Sequence, residues 1–367
     1  MSNNKWYDTP AAKVLGAQYP ILQGPFGGNL SSVKLAAAVS NRGGVGGYGA
    51  YTLTPDEIFQ LGKDLRAATD KPYNINLWVD DTDVIPGWID DDQFEKTRAL
   101  FRPYFDELGL DLPDKPVDQP SRFENQLQVI LDIQPPVFSF TFGVPTADIL
   151  EQCRMRRIVT AGAATTLGEA LVLDAAGVDL IIASGFEAGG HRPSFLAPAE
   201  ASLTGTFVLV QLIKDRVHVP VIAAGGIATG KGIAAALTLG ADGVQVGTAF
   251  LACEESGAPQ FHRDLLFSDR AKFTTLTRAF TGRLGRGLVN RITQDLRGKE
   301  SELLPFPMQT RFAGALRPEA IDRKKWDLIL IWGGQIAPLL THRKAGDLMN
   351  ALIADTGAYF DKKTENL

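Results

Sequence analysis

Two glycine-bearing tetrapeptides and one histidine carry most of the chemistry legible in this chain of 367 residues. The tetrapeptides are Ala224-Gly225-Gly226-Ile227 and Gln245-Val246-Gly247-Thr248, each at the C-terminal end of an apolar run. Glycine lets backbone N–H groups approach an anion with no Cβ in the way, and a helix N-terminus placed there favours negative charge. Either turn alone could be a tight strand-to-helix connection; two of them side by side predict a phosphate site. The histidine ends Gly185-Phe-Glu-Ala-Gly-Gly-His191, just past another apolar run. On such a loop, read here as flexible, a neutral imidazole can take a proton from a carbon acid or hydrogen-bond an anion. A histidine that merely orders its loop is the plainer alternative. His218, His262 and His342 have no comparable setting. Gln23 and Asn76 each close an apolar run and offer amides that can donate to and accept from a heterocycle, or cap a loop.

These groups converge only if the strands that carry them end on one face. Eight short apolar runs, at 19–23, 44–49, 73–79, 137–142, 157–161, 178–183, 219–224 and 243–246, alternate with helical segments. Thr54-Pro-Asp-Glu57 and Thr166-Leu-Gly-Glu169 read as capping boxes that open two of those helices. The alternation predicts a parallel (β/α)8 TIM barrel, whose loops after the seventh and eighth strands commonly hold phosphate. We expect the barrel over residues 1–257. It is interrupted at 80–120 by an acidic, aromatic excursion over the active-site face that includes a helix at Asp91–Leu108. A mainly helical extension, 258–367, would pack on the barrel. Tyr104 and Trp332 are aromatic candidates for the site lining, though core packing is the favoured role of both.

Composition narrows the function classes. A formal net charge of -5 gives no reason to expect nucleic acid. No apolar run reaches the roughly 18 residues of a membrane span, and the polar N-terminus lacks a signal-peptide core, so a cytoplasmic protein is expected. Cys153 and Cys253 suggest small buried hydrophobes rather than a disulfide framework, and no His/Cys/acid spacing suits a metal. A homo-oligomer is compatible with the sequence. Gly44-Val-Gly-Gly-Tyr-Gly49 matches a dinucleotide fingerprint literally, but it occupies a strand position and no helix opens within it.

The ordered set Tyr19-Pro-Ile-Leu-Gln-Gly-Pro25, Leu35 to Gly44, Phe138-Ser-Phe-Thr-Phe-Gly143, Gly185 to His191, Thr281-Gly-Arg, Arg286-Gly-Leu-Val-Asn-Arg291 and Ile331-Trp-Gly-Gly-Gln335 resembles the nitronate monooxygenases. The resemblance spans almost the whole chain. It implies FMN on the barrel, contacted by Asn76, Ser184, Gly189, Gly226 and Gln245 through Thr248, with His191 near the reactive edge of the flavin. It further implies oxidation of alkyl nitronates by dioxygen to carbonyl compounds and nitrite, the flavin carrying the redox step. Against the family pattern, Ser184 replaces a usual glutamine, Pro193 a usual glycine, and Leu284-Gly285 a common Pro-Ala. The Glu-Ala-Gly-Gly-His segment is shared with FMN- and NAD(P)H-dependent enoyl-acyl-carrier-protein reductases, the main alternative. A phosphate-binding barrel lyase or isomerase without flavin, and a flavin-binding protein without turnover, are the remaining ones.

Overall fold

The computed structural model describes residues 5–80, 90–117 and 121–364. Eight parallel strands form the central sheet: β1 Ile21–Gln23, β2 Gly46–Gly49, β3 Tyr73–Trp78, β4 Val137–Thr141, β5 Val159–Ala164, β6 Leu180–Ser184, β7 Val221–Ala224 and β8 Gly243–Val246. Each pairs in register with its neighbours, and β8 pairs with β1. The barrel closes between β1 and β2 through Gln23 N to Val45 O and Val45 N to Ile21 O, both 2.9 Å. The predicted closed barrel is therefore present.

Side-chain alternation along each strand separates two cores. Leu180, Ile182 and Ile222 fill the barrel with Leu22 and Val45. Ile181, Ala183 and Val221 face the surrounding helices. Glycine makes one contact possible: a Cβ on Gly46 would lie 2.1 Å from the Ala36 carbonyl oxygen, so strand β2 can approach helix Val33–Ser40 at that position only without a side chain. A Cβ on Gly47 would lie 2.5 Å from the Gln23 carbonyl oxygen and one on Gly49 2.6 Å from the Gly27 nitrogen, so close backbone approach explains the glycines of this strand, which carries no dinucleotide turn.

The Thr54–Glu57 capping box forms as expected. The second does not close. Thr166 caps its helix, but the Glu169 carboxylate turns to the Thr165 N–H and hydroxyl, at 2.7 and 2.6 Å, and to the Phe195 N–H at 2.6 Å. Glu169 is fully buried and ties the segment after His191 to the barrel.

Beyond β8 the extension builds its own core, and helix Asp91–Leu108 belongs to it. Phe101 and Phe105 pack on Phe312, and the Tyr104 hydroxyl bonds Asp295 at 3.0 Å. Among the described residues of the expected excursion, none from 90 to 117 lines the cavity at the barrel mouth; residues 81–89 and 118–120 lie outside the described ones. The extension also contains strands Thr274–Thr277 and Gly285–Leu288, which form an antiparallel sheet with Gly190–His191. Finally, helix Ala345–Thr364 returns to the barrel, where Leu348, Met349 and Leu352 join the layer between sheet and helices. By packing it goes with the barrel. Among the described residues, no helix is long and apolar enough to cross a membrane.

Candidate active site

A cavity of about 440 Å³ opens at the C-terminal ends of the strands, a size typical of cofactor sites. Asn76, Ser139, Ser184 and Gln245 reach it from the barrel, and Tyr51 and Trp78 flank it. His262, Thr281, Phe306, Arg317 and Trp332 cover it from the extension. Trp332 thus lines the site, whereas Tyr104 is a core residue.

Two glycine turns form one end. Gly225 and Gly226 have φ of 105° and 69°, backbone conformations that disfavour any side chain. The Thr206 hydroxyl braces this turn by donating toward the carbonyls of Ala224 and Gly225 at 3.1 and 3.0 Å. Glu187 holds Thr206 in turn, accepting its N–H at 2.9 Å. Opposite, Gly247 precedes the short helix Thr248–Leu251, whose first N–H groups have no intrahelical acceptor. The Thr248 hydroxyl accepts from the Gly334 N–H at 2.9 Å. Gly189 presses against Gly333 and Gly334; a Cβ there would lie 2.6 Å from the Gly334 nitrogen.

The expected amide contacts divide. Asn76 lines the cavity, its Nδ2 donating to the Ser139 hydroxyl at 3.0 Å. Gln23 does not line it. Its Oε1 accepts from the Gly47 N–H at 2.8 Å and its Nε2 donates to the Gly24 carbonyl, so the amide stitches β1 to β2 instead of meeting a ligand. Val246 does not line the cavity either: its side chain is buried in the layer between the barrel and its helices, while its neighbours Gln245 and Gly247 line the cavity. Two polar atoms of lining residues, Gln245 Oε1 and Thr141 Oγ1, are buried without a hydrogen-bond partner. Buried polar groups in native proteins are almost always paired. Orphaned acceptors beside a glycine cradle fit a bound group with a phosphate at one end and a polar heterocycle at the other, which FMN is.

His191 is not on a flexible loop. Gly190–His191 is a strand paired with Gly285 and Arg286, and the Arg192 N–H bonds the Leu284 carbonyl at 2.8 Å. The buried Arg192 side chain clamps the start and end of the segment, donating to the Ser184 and Ser202 carbonyls. Arg286 fastens its middle through the Phe186 carbonyl at 3.0 Å. The pairing to a distant strand supplies the rigidity that a glycine-rich loop lacks alone.

The imidazole sits among Trp78, Phe142, Phe306 and Trp332, the last with its ring centre 4.8 Å away. Its Nε2 lies 2.9 Å from the Thr281 hydroxyl, which also lies 3.0 Å from the Arg283 carbonyl. Thr281 has one proton and spends it on that carbonyl, so it accepts from Nε2–H. This network assigns the Nε2–H tautomer and leaves Nδ1, with no hydrogen-bond partner among the described residues, as the proton-accepting atom. Burial, and secondarily the Arg283 guanidinium, push the His191 pKa down to about 3. The ring is neutral at any ordinary pH.

The nitronate monooxygenase family model matches residues 8–355. A probable nitronate monooxygenase of Staphylococcus haemolyticus is 35% identical over 350 residues, covering 95% of this chain and 97% of that protein. The chain belongs to the nitronate monooxygenase family. A counterpart in Staphylococcus aureus strain Newman, also described as probable, is 34% identical over 349 residues, with 95% and 97% covered. Among solved structures, nitroalkane oxidase from Streptomyces ansochromogenes superposes with a TM-score of 0.86 at 33% identity, covering 96% of this chain and 99% of that one. FabK from Thermotoga maritima gives 0.75 at 26% identity, with 98% and 99% covered. An enoyl reductase domain from Bacillus amyloliquefaciens, at 11% identity, shares the fold alone.

Family membership makes sense of residues that sequence reasoning left without a role. Thr281 and Arg283 come from the Thr-Gly-Arg segment that carried part of the resemblance, yet only the structure gives them work. Thr281 fixes the tautomer, and the Arg283 guanidinium lies over Phe142 and Phe306 at 4.2 and 4.6 Å, behind the histidine. His262 also lines the cavity, its Nε2 bonded to the Trp332 carbonyl at 2.9 Å. Arg317 stands on the same wall, its pKa lowered by burial, and it forms no ion pair with a carboxylate among the described residues. Nothing in the local sequence around His262 or Arg317 marked either one.

Proposed function

We propose that this protein holds FMN in the cavity and oxidises alkyl nitronates, and neutral nitroalkanes through His191, with dioxygen to carbonyl compounds and nitrite. The observation that carries the reading is the fixed, neutral imidazole with Nδ1 unoccupied, facing a cavity that ends in a glycine cradle. In that cavity the backbone of Gly225, Gly226, Gly247 and Thr248 would hold the phosphate. Asn76, Ser184, Gly189, Gln245 and the Val246 backbone would hold the ring system and its tail. Bound there, FMN supplies the electron transfer from nitronate to oxygen.

The protein's own residues position the substrate and handle its proton. A nitroalkane is a carbon acid whose anion is spread over the nitro oxygens. Nδ1 of His191 takes the proton from its carbon. A proton on that ring is costly in isolation, but it becomes favourable when an anion forms against it in a water-poor site. Taking the proton creates that anion. Arg283, behind the aromatic wall, and Arg317, on the extension side, bring positive charge toward the cavity and would favour a nitronate over its neutral parent.

An anaerobic absorbance titration with a preformed nitronate tests the reading. Bleaching of the flavin band, reversed by air with release of nitrite, is the expected result. No response to nitronate together with rapid bleaching by NADH or NADPH would move the assignment to an enoyl-reductase activity.

A further inference from the structure

The cavity has a lobe that neither the glycine cradle nor the group around His191 accounts for. Its walls are the apolar side chains of Leu30, Leu251, Ala313, Leu328, Leu330 and Ile336. One side of it is a helical face. Thr310, Ala313, Gly314 and Arg317 all line the cavity, at the spacing that puts residues on one side of a helix. Helix Met308–Gly314 passes into helix Arg317–Asp322 through Ala315 and Leu316, both in right-handed helical conformation, so the face is continuous.

The two ends of this face differ in chemistry. The Thr310 hydroxyl donates to the Thr281 carbonyl at 3.4 Å, and Thr281 is the residue that fixes His191. At a rise of ~1.5 Å per residue, the seven-residue advance to Arg317 covers about 10 Å. Arg317 is the only arginine or lysine among the described residues that line the cavity. Its guanidinium lies 6.0 Å from the centre of the Phe261 ring, which stacks on Trp326 at 4.6 Å. Its side chain makes no hydrogen bond or ion pair with a described residue. The neighbouring His262 is neutral and brings it no negative charge. Gly314 is exposed and Arg317 half-buried, which fits a mouth at this end.

We infer that the lobe is a subsite for an aliphatic nitronate whose far end carries a carboxylate, with Arg317 holding that carboxylate. The inference rests on the proposed oxidation of nitronates at His191. Three features define the ligand. The apolar wall rewards each methylene taken from water. The guanidinium offers planar paired donors that match a carboxylate, and its single charge would leave a phosphate dianion half balanced. The span sets the length: a zigzag chain advances about 1.3 Å per carbon–carbon bond of ~1.5 Å, so about eight bonds cover it. A three-carbon nitro acid is too short to join His191 to Arg317. At the mouth the carboxylate keeps part of its hydration, which lowers the cost of bringing a charge to an apolar lobe.

Kinetics on the FMN-loaded chain test this with the nitronates of nitroethane, nitrooctane, ω-nitropropanoate and ω-nitrooctanoate. The ω-nitrooctanoate form should have the highest kcat/KM. Arg317→Met should cut its advantage over nitrooctane roughly 10- to 100-fold, the loss of one charge-assisted pair, and Arg317→Lys should recover part of it. Any general effect of the guanidinium on nitronates divides out of that ratio. A Cβ on Gly314 would meet nothing within 4 Å, so Gly314→Leu can fill the lobe and should lower both eight-carbon compounds relative to nitroethane. It carries the test should Arg317→Met misfold, as judged by circular dichroism and flavin content. A ratio indifferent to Arg317→Met overturns the inference, as does a wild-type preference for ω-nitropropanoate over ω-nitrooctanoate. Calorimetric titration with octanoate needs no turnover: binding should exceed that of octanol and weaken in Arg317→Met. If no nitronate is oxidised, the functional reading fails on its own, and octanoate binding absent or indifferent to Arg317 removes the subsite separately.

Discussion

Replacing Thr281 with valine keeps the shape of the side chain and removes the one acceptor that Nε2–H of His191 has among the described residues. Thr281 is 8% exposed, so water cannot readily substitute for the lost hydroxyl. A buried donor left unsatisfied costs about 1–3 kcal/mol. The ring can escape that cost by moving its proton to Nδ1, the atom that must accept the substrate proton. Either outcome penalises proton transfer, and at about 1.4 kcal/mol per tenfold in rate the loss in kcat/KM on a neutral nitroalkane should be roughly 5- to 150-fold. A preformed nitronate bypasses that step and should lose much less. The assay is nitrite release from the two forms of one compound, with flavin content measured alongside, and Thr281→Ser should restore the rate. Equal losses on both forms with flavin retained would refute the tautomer argument, and so would an unaffected nitroalkane rate.

His191→Asn should retain FMN, lose activity on neutral nitroalkanes, and fall less on nitronates; full activity on both, measured by the same nitrite assay, would remove His191 from the chemistry. Because the free-enzyme histidine is neutral down to about pH 3, kcat/KM on a neutral nitroalkane should show no inflection near pH 6.5, and one that vanishes in His191→Asn would contradict the assignment. His262, 1% exposed with its pKa lowered to about 4, stays neutral in the folded chain while the unfolded chain protonates near 6.5. Its contribution therefore lowers stability as pH falls from 6.5 toward 4, by up to about 1.4 kcal/mol per pH unit; urea midpoints at stepped pH should show that slope, reduced in His262→Gln. Gly225→Ala combines a φ of 105° with a Cβ 2.9 Å from the Thr206 hydroxyl, strain on the order of 1–3 kcal/mol placed on the cradle itself. It should weaken FMN retention on gel filtration while leaving His191-dependent proton chemistry intact in FMN-saturated samples.

The barrel and one end of the site were legible because their causes are local. Apolar runs alternating with capped helices produce the strands, and Gly225 and Gly226 at one strand end adopt positive φ that disfavours any side chain. What sequence reading missed depends on contacts distant along the chain. Gln23 was the right residue type in the right place, yet its amide faces the backbone of β2, a choice set by barrel closure. Glu169 stood at a capping-box position but was drawn away by unpaired N–H groups of the segment after His191. The rigidity of His191 comes from a two-residue strand whose partner begins at Gly285. That glycine is one of the departures from the family pattern, and the structure supplies its reason: a Cβ there would sit 2.8 Å from the Trp332 ring, which packs against His191. Gly285 and Trp332 therefore have to be read as a pair. The bulk that one gives up is taken by the other, on the wall of the site nearest the proposed base.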